Sequence, residues 1–171
     1  MKKFIPDMYK KNIYEINYEK LKKMGKKYLF FDLDNTIISY LQNKPTKENK
    51  ILFDKLKKME FEVFIFSNSP SNRLEPFEKE LNVKAFSGSM KPLKKGYKKV
   101  LNMYDKDKCV FIGDQIMTDV IGAKRNGLYV IFIDRINNKE PIYTKFWRFF
   151  EFFVLKNYER KKYLVKGKYY E

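Results

Sequence analysis

The stretch Tyr28-Leu29-Phe30-Phe31-Asp32-Leu33-Asp34-Asn35-Thr36 decides how this chain reads. Its apolar first half, crowded with residues that favour extended backbone, predicts a short buried strand over 27–32. Its second half places two carboxylates one residue apart at the strand's carboxyl end, where open α/β sheets hold their ligands. Residues two apart on an extended chain face the same side, so Asp32 and Asp34 crowd each other. Such a pair repels unless a cation or a shared proton relieves it. Metal binding with acid–base chemistry is the expectation here. The plain alternative is a strand end entering a polar turn with an Asp or Thr helix cap.

Working outward, strand-like runs recur at 62–66, 83–86, 108–112 and 129–133. Helical patterns separate them at about 46–59, 71–81, 93–104 and 117–125. Strands alternating with helices predict a three-layer α/β/α sandwich around a mainly parallel sheet of about five strands. Before the first strand, a short helix over 18–24 stops at Gly25, and Asn126-Gly127 ends the last of the four helical patterns as a left-handed stop. The other strand ends carry chemistry too. Val63-Phe64-Ile65-Phe66 runs into Ser67-Asn68-Ser69, Lys91 precedes Pro92 ahead of a helix, and Val110-Phe111-Ile112-Gly113 runs into Asp114, with Asp119 five residues on. Each alone is ordinary turn or cap chemistry; together, in chain order, they make a complementary set.

A chain of 171 residues suits one domain with a full core. Cys109, the one cysteine, sits in an apolar run, which excludes an internal disulfide and suits a reducing compartment. There is no histidine, so acid–base work falls to Asp, Glu, Lys or Tyr. The net charge of +16 favours polyanions such as nucleic acid or an anionic membrane, though a lysine-rich proteome would produce the same bias. No run approaches the ~20 apolar residues of a spanning helix, and the N-terminus meets charge too early for a signal peptide. The expected location is cytoplasmic, with peripheral attachment at the inner face of the membrane open.

In residues 143–163, Phe146, Phe149, Phe150 and Phe153 recur at helical spacing among Lys145, Arg148, Lys156 and Arg160. Two readings stand: a helix docked on the core, or an interfacial helix with aromatics at the headgroup level and cations on anionic lipid. The chain divides into a basic N-terminal segment packed on the core (1–26), a core (27–138) and a basic aromatic tail (139–171).

In order and spacing, the four strand-end segments resemble the motifs of the haloacid dehalogenase (HAD) superfamily. Phe4-Ile5-Pro6-Asp7-Met8-Tyr9, Asn35-Thr36-Ile37, Gly113-Asp114-Gln115 with Thr118-Asp119, and Arg125-Asn126-Gly127-Leu128 look like its YqeG-type IIIA branch, which is related to mitochondrial phosphatidylglycerophosphate phosphatases. The resemblance implies a HAD-like Rossmannoid phosphatase core with Asp32 as nucleophile and Asp34 as general acid/base. It implies Ser67, Asn68 and Lys91 at the phosphoryl group, and Mg²⁺ on Asp32, Asp114 and the Asp34 backbone carbonyl. Asp119 and Thr36 would support that shell.

The intervals Asp32–Ser67 and Ser67–Lys91 span 35 and 24 positions, too few for a cap domain. An uncapped site is open to bulky or surface-bound substrates. With the basic balance and aromatic tail, this makes a phosphate on an anionic lipid headgroup, phosphatidylglycerophosphate above all, the leading substrate. The alternatives are a soluble, nucleotide or polynucleotide phosphate, or a nucleic-acid- or ribosome-binding protein on a HAD scaffold.

Overall fold

The computed structural model describes residues 4–139 and 142–171, with 142–147 by backbone alone. Six strands, β1 (Met8–Lys10), β2 (Tyr28–Phe31), β3 (Glu62–Phe66), β4 (Lys84–Phe86), β5 (Cys109–Gly113) and β6 (Tyr129–Ile133), pair in the order β1-β6-β5-β2-β3-β4, every neighbouring pair parallel. The helices are α1 (Tyr18–Lys23), α2 (Lys47–Lys58), α3 (Ser71–Leu81), α4 (Lys94–Leu101), α5 (Gly122–Arg125) and α6 (Ile142–Arg160).

The chain steps from β2 outward through β3 to β4, then crosses back to β5 and β6 on the other side of β2. The strand order therefore reverses between β2 and β5, which opens a crevice at their carboxyl ends. Parallel strands buried on both faces need apolar side chains at every position, and the composition of β2 follows from that. Leu29 and Phe31 face one layer with Leu21 of α1, Leu52, Phe53 and Leu56 of α2, and Leu74, Phe77 and Leu81 of α3. Phe30 faces the other with Tyr97 and Val100 of α4, Ala123 of α5 and Tyr158 of α6. Between β2 and β3, and between β3 and β4, the described chain holds only loops and a single helix, α2 or α3. The site is uncapped.

Phe30 pairs in register with Phe64 on one side and Phe111 on the other. Residues in register on neighbouring strands are one strand spacing apart, ~4.8 Å, which is also a comfortable ring-stacking distance. The three rings accordingly stack with centroids 4.8 and 4.7 Å apart and planes within 16° and 10° of parallel. This slab anchors the central strand that delivers Asp32.

Three features depart from the sequence pattern. The N-terminal segment supplies a sixth strand, β1, whose three residues are too short to show a period; Tyr9 also exchanges backbone hydrogen bonds with Tyr170 from the tail. The helical pattern over 117–125 resolves into a wide π-helical turn, Ile116–Ile121, running into α5. The tail helix α6 packs on that turn through its inner edge, while Phe149, Phe150, Phe152 and Phe153 stay exposed. The side chains of Lys145 and Phe146 lie outside the described residues. Among the described residues, no helix is long and apolar enough to cross a membrane.

Replacing the fully buried Phe30 by Ala removes the middle ring of the slab. The loss in unfolding free energy expected from chemical denaturation is about 3–5 kcal/mol.

Candidate active site

The ladder of β2 runs one residue past the strand, where the Asp32 N–H donates to the Ile112 carbonyl at 2.8 Å. This fixes the Asp32 backbone beside the tip of β5. Beyond it the chain folds into a tight turn in which Thr36, Ile37 and Ile38 all donate to the Leu33 carbonyl. Asn35 takes the left-handed conformation that this turn needs, with φ 64°. Thr36 is thereby buried, and its hydroxyl reaches the Asp114 carboxylate at 3.3 Å.

Asp114 follows β5 directly. Gly113, the last residue of that strand, has no alternative at its position: a Cβ there would lie 2.3 Å from an Asp119 carboxylate oxygen. The π-helical turn brings Asp119 back over the strand end. It is held by donation from its own N–H to the Gln115 carbonyl, and its Oδ2 accepts from the Gln115 N–H at 3.0 Å.

Lys91 enters from the loop before α4. Asn68 grips it by the backbone, accepting from the Lys91 N–H at 2.7 Å and donating to its carbonyl at 3.0 Å. The side-chain amide of Asn68 is thus spent on the loop. Gly96 lets α4 close on the same loop, because a Cβ there would lie 1.6 Å from the Ser89 carbonyl oxygen. The Lys91 ammonium ends between two carboxylates, donating to Asp32 Oδ1 at 2.6 Å and Asp119 Oδ1 at 2.7 Å. Ser67 is buried next to this loop, and its Oγ accepts from the Ser69 N–H at 3.1 Å.

Four more side chains complete the group, none of them singled out as site residues by the sequence. Ser69 Oγ donates to Asp34 Oδ2 at 2.8 Å, and Arg73 of α3 donates to Asp34 Oδ1 at 2.7 Å. Arg148 of α6 forms an ion pair with the Asp114 carboxylate and donates to the Asp114 carbonyl at 3.1 Å. Glu151, one helical turn on, accepts from Arg148 at 2.7 Å and from the Ile116 N–H at 2.9 Å. On an amphipathic helix Arg73, Arg148 and Glu151 look like any solvated charge. Their one local signal is that Arg148 and Glu151 are three apart and so share a helix face.

Among the described residues, Asp32, Asp34, Asp114, Asp119 and Glu151 pair with Lys91, Arg73 and Arg148, five carboxylates to three cations. Two of these carboxyl groups, Asp32 and Asp114, are shifted by their burial. Burial, aided by Asp119 and Asp114, raises Asp32 well above the usual carboxylate range even against the opposing pull of Lys91. Burial pushes Asp114 up to about 7, with Arg148 opposing and Asp119 and Glu151 adding to the rise. Burial works against the charge on Lys91 as well, but Asp119 and Asp32 outweigh it and keep the ammonium protonated. Asp32, Asp114 and Asp119 each present an oxygen within 4.8 Å of the others. Close-set hard oxygens in a cluster with more carboxylates than cations fit a divalent cation.

The sequence profile of the haloacid dehalogenase-like hydrolases matches residues 41–127, the span that holds Ser67, Lys91, Asp114 and Asp119. Over 160 residues, 92% of this chain and 93% of its relative, the sequence is 32% identical to the "probable phosphatase YqeG" of Bacillus subtilis. This chain belongs to the haloacid dehalogenase-like hydrolases. Two solved structures share the fold. An uncharacterized protein from Listeria monocytogenes has a TM-score of 0.53 at 18% identity, covering 67% of this chain and 85% of its own. The cobalt-bound form of a deoxy-D-mannose-octulosonate 8-phosphate phosphatase from Haemophilus influenzae has a TM-score of 0.51 at 12% identity, covering 80% and 90%.

Gly113→Ala should drive the Asp119 carboxylate away from Lys91. Since a misplacement of about 1 Å can cost on the order of 10²-fold in rate, kcat should fall by that order while circular dichroism stays that of the folded chain. A second outcome concerns pH. Because the fold raises Asp114, the stability its protonated form contributes is whole below the ordinary Asp range and is lost as pH climbs through about 7. A bound divalent cation removes that loss. The rise in thermal midpoint on adding the cation should therefore be large near pH ~8 and shrink toward pH ~5.

Proposed function

We propose that this protein is a Mg²⁺-dependent phosphomonoester hydrolase that works through an aspartyl-phosphate on Asp32, and that its substrate is phosphatidylglycerophosphate. The observation that carries the reading is the Lys91 ammonium lodged between Asp32 and Asp119, with Asp114 at hand to share a cation with Asp32. A phosphomonoester dianion repels an attacking carboxylate, so positive charge must meet both before reaction.

In this mechanism an oxygen of Asp32 attacks phosphorus while the bond to the departing alkoxide breaks, and Asp34 gives that alkoxide its proton. Asp34, now a carboxylate, then takes a proton from water as the water oxygen attacks the same phosphorus. The phosphorus–Asp32 bond breaks, releasing inorganic phosphate and restoring Asp32. Lys91 neutralises the phosphoryl oxygens, and Asp119 holds Lys91 in place. Ser67 and the backbone amides of its loop bind the equatorial oxygens, while Asn68 sets the height of the Lys91 loop. Ser69 and Arg73 orient Asp34. Asp32, Asp114 and the Asp34 carbonyl would hold Mg²⁺, which supplies charge neutralisation to the phosphoryl group and its nucleophile. Thr36 and Arg148 steady Asp114 for that task.

Three observations support the lipid substrate. The site is uncapped and admits a phosphate standing on a surface. Phe149, Phe150, Phe152 and Phe153 stand exposed on α6, whose inner edge grips Asp114. Lys156 and Arg160 follow on the same helix, an arrangement suited to peripheral contact with anionic lipid at the inner face of the cytoplasmic membrane.

With Mg²⁺, purified protein should release phosphate from phosphatidylglycerophosphate in mixed micelles. Chelation should abolish turnover, and Asp32→Asn should lower kcat by roughly 10⁴-fold or more, as loss of a nucleophile does. Turnover of soluble esters with none of the lipid would remove the lipid assignment and leave the phosphatase one.

A further inference from the structure

On the side of α6 and the tail, joined to the carboxylate cluster through Arg148, lies a cavity of about 260 Å³ lined by Arg135, Arg148, Glu151, Phe152, Leu155 and Lys166. It falls below the roughly 300–1,000 Å³ of pockets that enclose a whole small molecule, so it suits one part of a larger ligand. The three cations among its described lining residues come from separate stretches: the loop after β6, helix α6 and the tail beyond it. Glu151, the one carboxylate among the described residues of its lining, is buried and committed to the Ile116 N–H and to Arg148. Lys166 reaches Asp134 at 3.1 Å, with its ammonium 4.7 Å from the Phe132 ring centre. Arg148 belongs to both places, gripping Asp114 while forming part of the cavity wall.

We propose that this cavity takes a second phosphate group of the substrate, the phosphodiester that joins a lipid headgroup to its diacylglycerol, while the terminal phosphomonoester sits at Asp32. The assignment rests on the phosphatase reading of Asp32 and names what selects among monoesters. A phosphodiester carries one negative charge and no proton to donate, so it seeks N–H donors such as guanidinium and ammonium. The apolar part of the wall decides the kind of diester. Phe152 lines the cavity and is 60% exposed at its rim, continuous with exposed Phe149 and Phe153. A diester held there directs its acyl side along this aromatic face. A polynucleotide end also sets a diester beside a monoester, but its next groups are charged phosphates, which that face does not match.

The test compares kcat/KM, at saturating Mg²⁺, for sn-glycerol 3-phosphate, for deacylated phosphatidylglycerophosphate headgroup, for the intact lipid in mixed micelles and for an oligonucleotide 3′-phosphate. The deacylated headgroup should exceed glycerol phosphate by about tenfold or more, chiefly through KM, as charge-assisted contacts to one extra phosphate would give. Arg135→Gln and Lys166→Gln should each shrink that ratio several-fold; a merely structural role would lower both rates and leave the ratio. The intact lipid should exceed its deacylated headgroup, and this increment should fall with Phe152→Ser. Equal rates on the two soluble esters, or a ratio unmoved in both charge variants, would overturn the subsite and leave the phosphatase standing. A preference for the oligonucleotide would reassign the cavity to nucleic acid and overturn the lipid proposal. Phosphate release from none of the four would fail the Asp32 reading itself, and the subsite with it.

Discussion

The buried Lys91 ammonium, shared by Asp32 and Asp119, is the interaction on which the rest of the structure depends. An ammonium taken out of water loses several kcal/mol of solvation, and only close carboxylates and firm backbone anchoring recover it. The surrounding architecture meets those conditions one by one. The stacked phenylalanines hold β2 so that Asp32 is presented at its end, and Asn68 clamps the backbone of Lys91. Gly96 lets α4 pack on the loop, and Gly113 leaves room for Asp119. Take away one of these and a charge is left buried without its partner, which costs more than the pair contributes.

This dependence explains what could be read from the amino-acid sequence. Strands β2, β3, β5 and β6 are buried on both faces, so they appear as unbroken apolar runs. The polar residues that terminate them stand out by contrast, and Asp32, Ser67 and Asp114 could be picked from the chain for that reason. β1 could not be, since three residues give no period. The π-helical turn was hidden too, because its apolar residues read as an ordinary helix. Arg73 and Arg148 were hidden by distance: Asp34 and Asp114 lie 39 and 34 positions away, and the spacing of Arg148 and Glu151 is the one local hint. The strands declared the nucleophilic side of the site, while the charges brought in by helices emerged only in three dimensions.

The tail also changes meaning once folded. From its sequence α6 could be a core-docked helix or an interfacial one, and its geometry has elements of both. Its inner edge carries Arg148 and Glu151 to the loop after β5, and Tyr158 packs with the core. Its outer edge keeps a row of phenylalanine rings in edge-to-face contact with one another. A side chain that grips Asp114 is therefore one helix thickness from an apolar surface, so whatever that surface meets is met next to the carboxylates.

The pairing of Tyr9 with Tyr170 has a consequence for solubility. An open parallel sheet exposes a row of unmet N–H and C=O groups along each margin, a template on which a foreign chain can assemble. Here the β1 margin is partly filled from within, as Tyr9 and Tyr170 exchange backbone hydrogen bonds at 3.0 and 2.9 Å. The β4 margin is only three residues long and begins with Lys84. Neither side leaves much for a stray strand to join, which protects an aromatic-rich sheet against the self-association its composition invites.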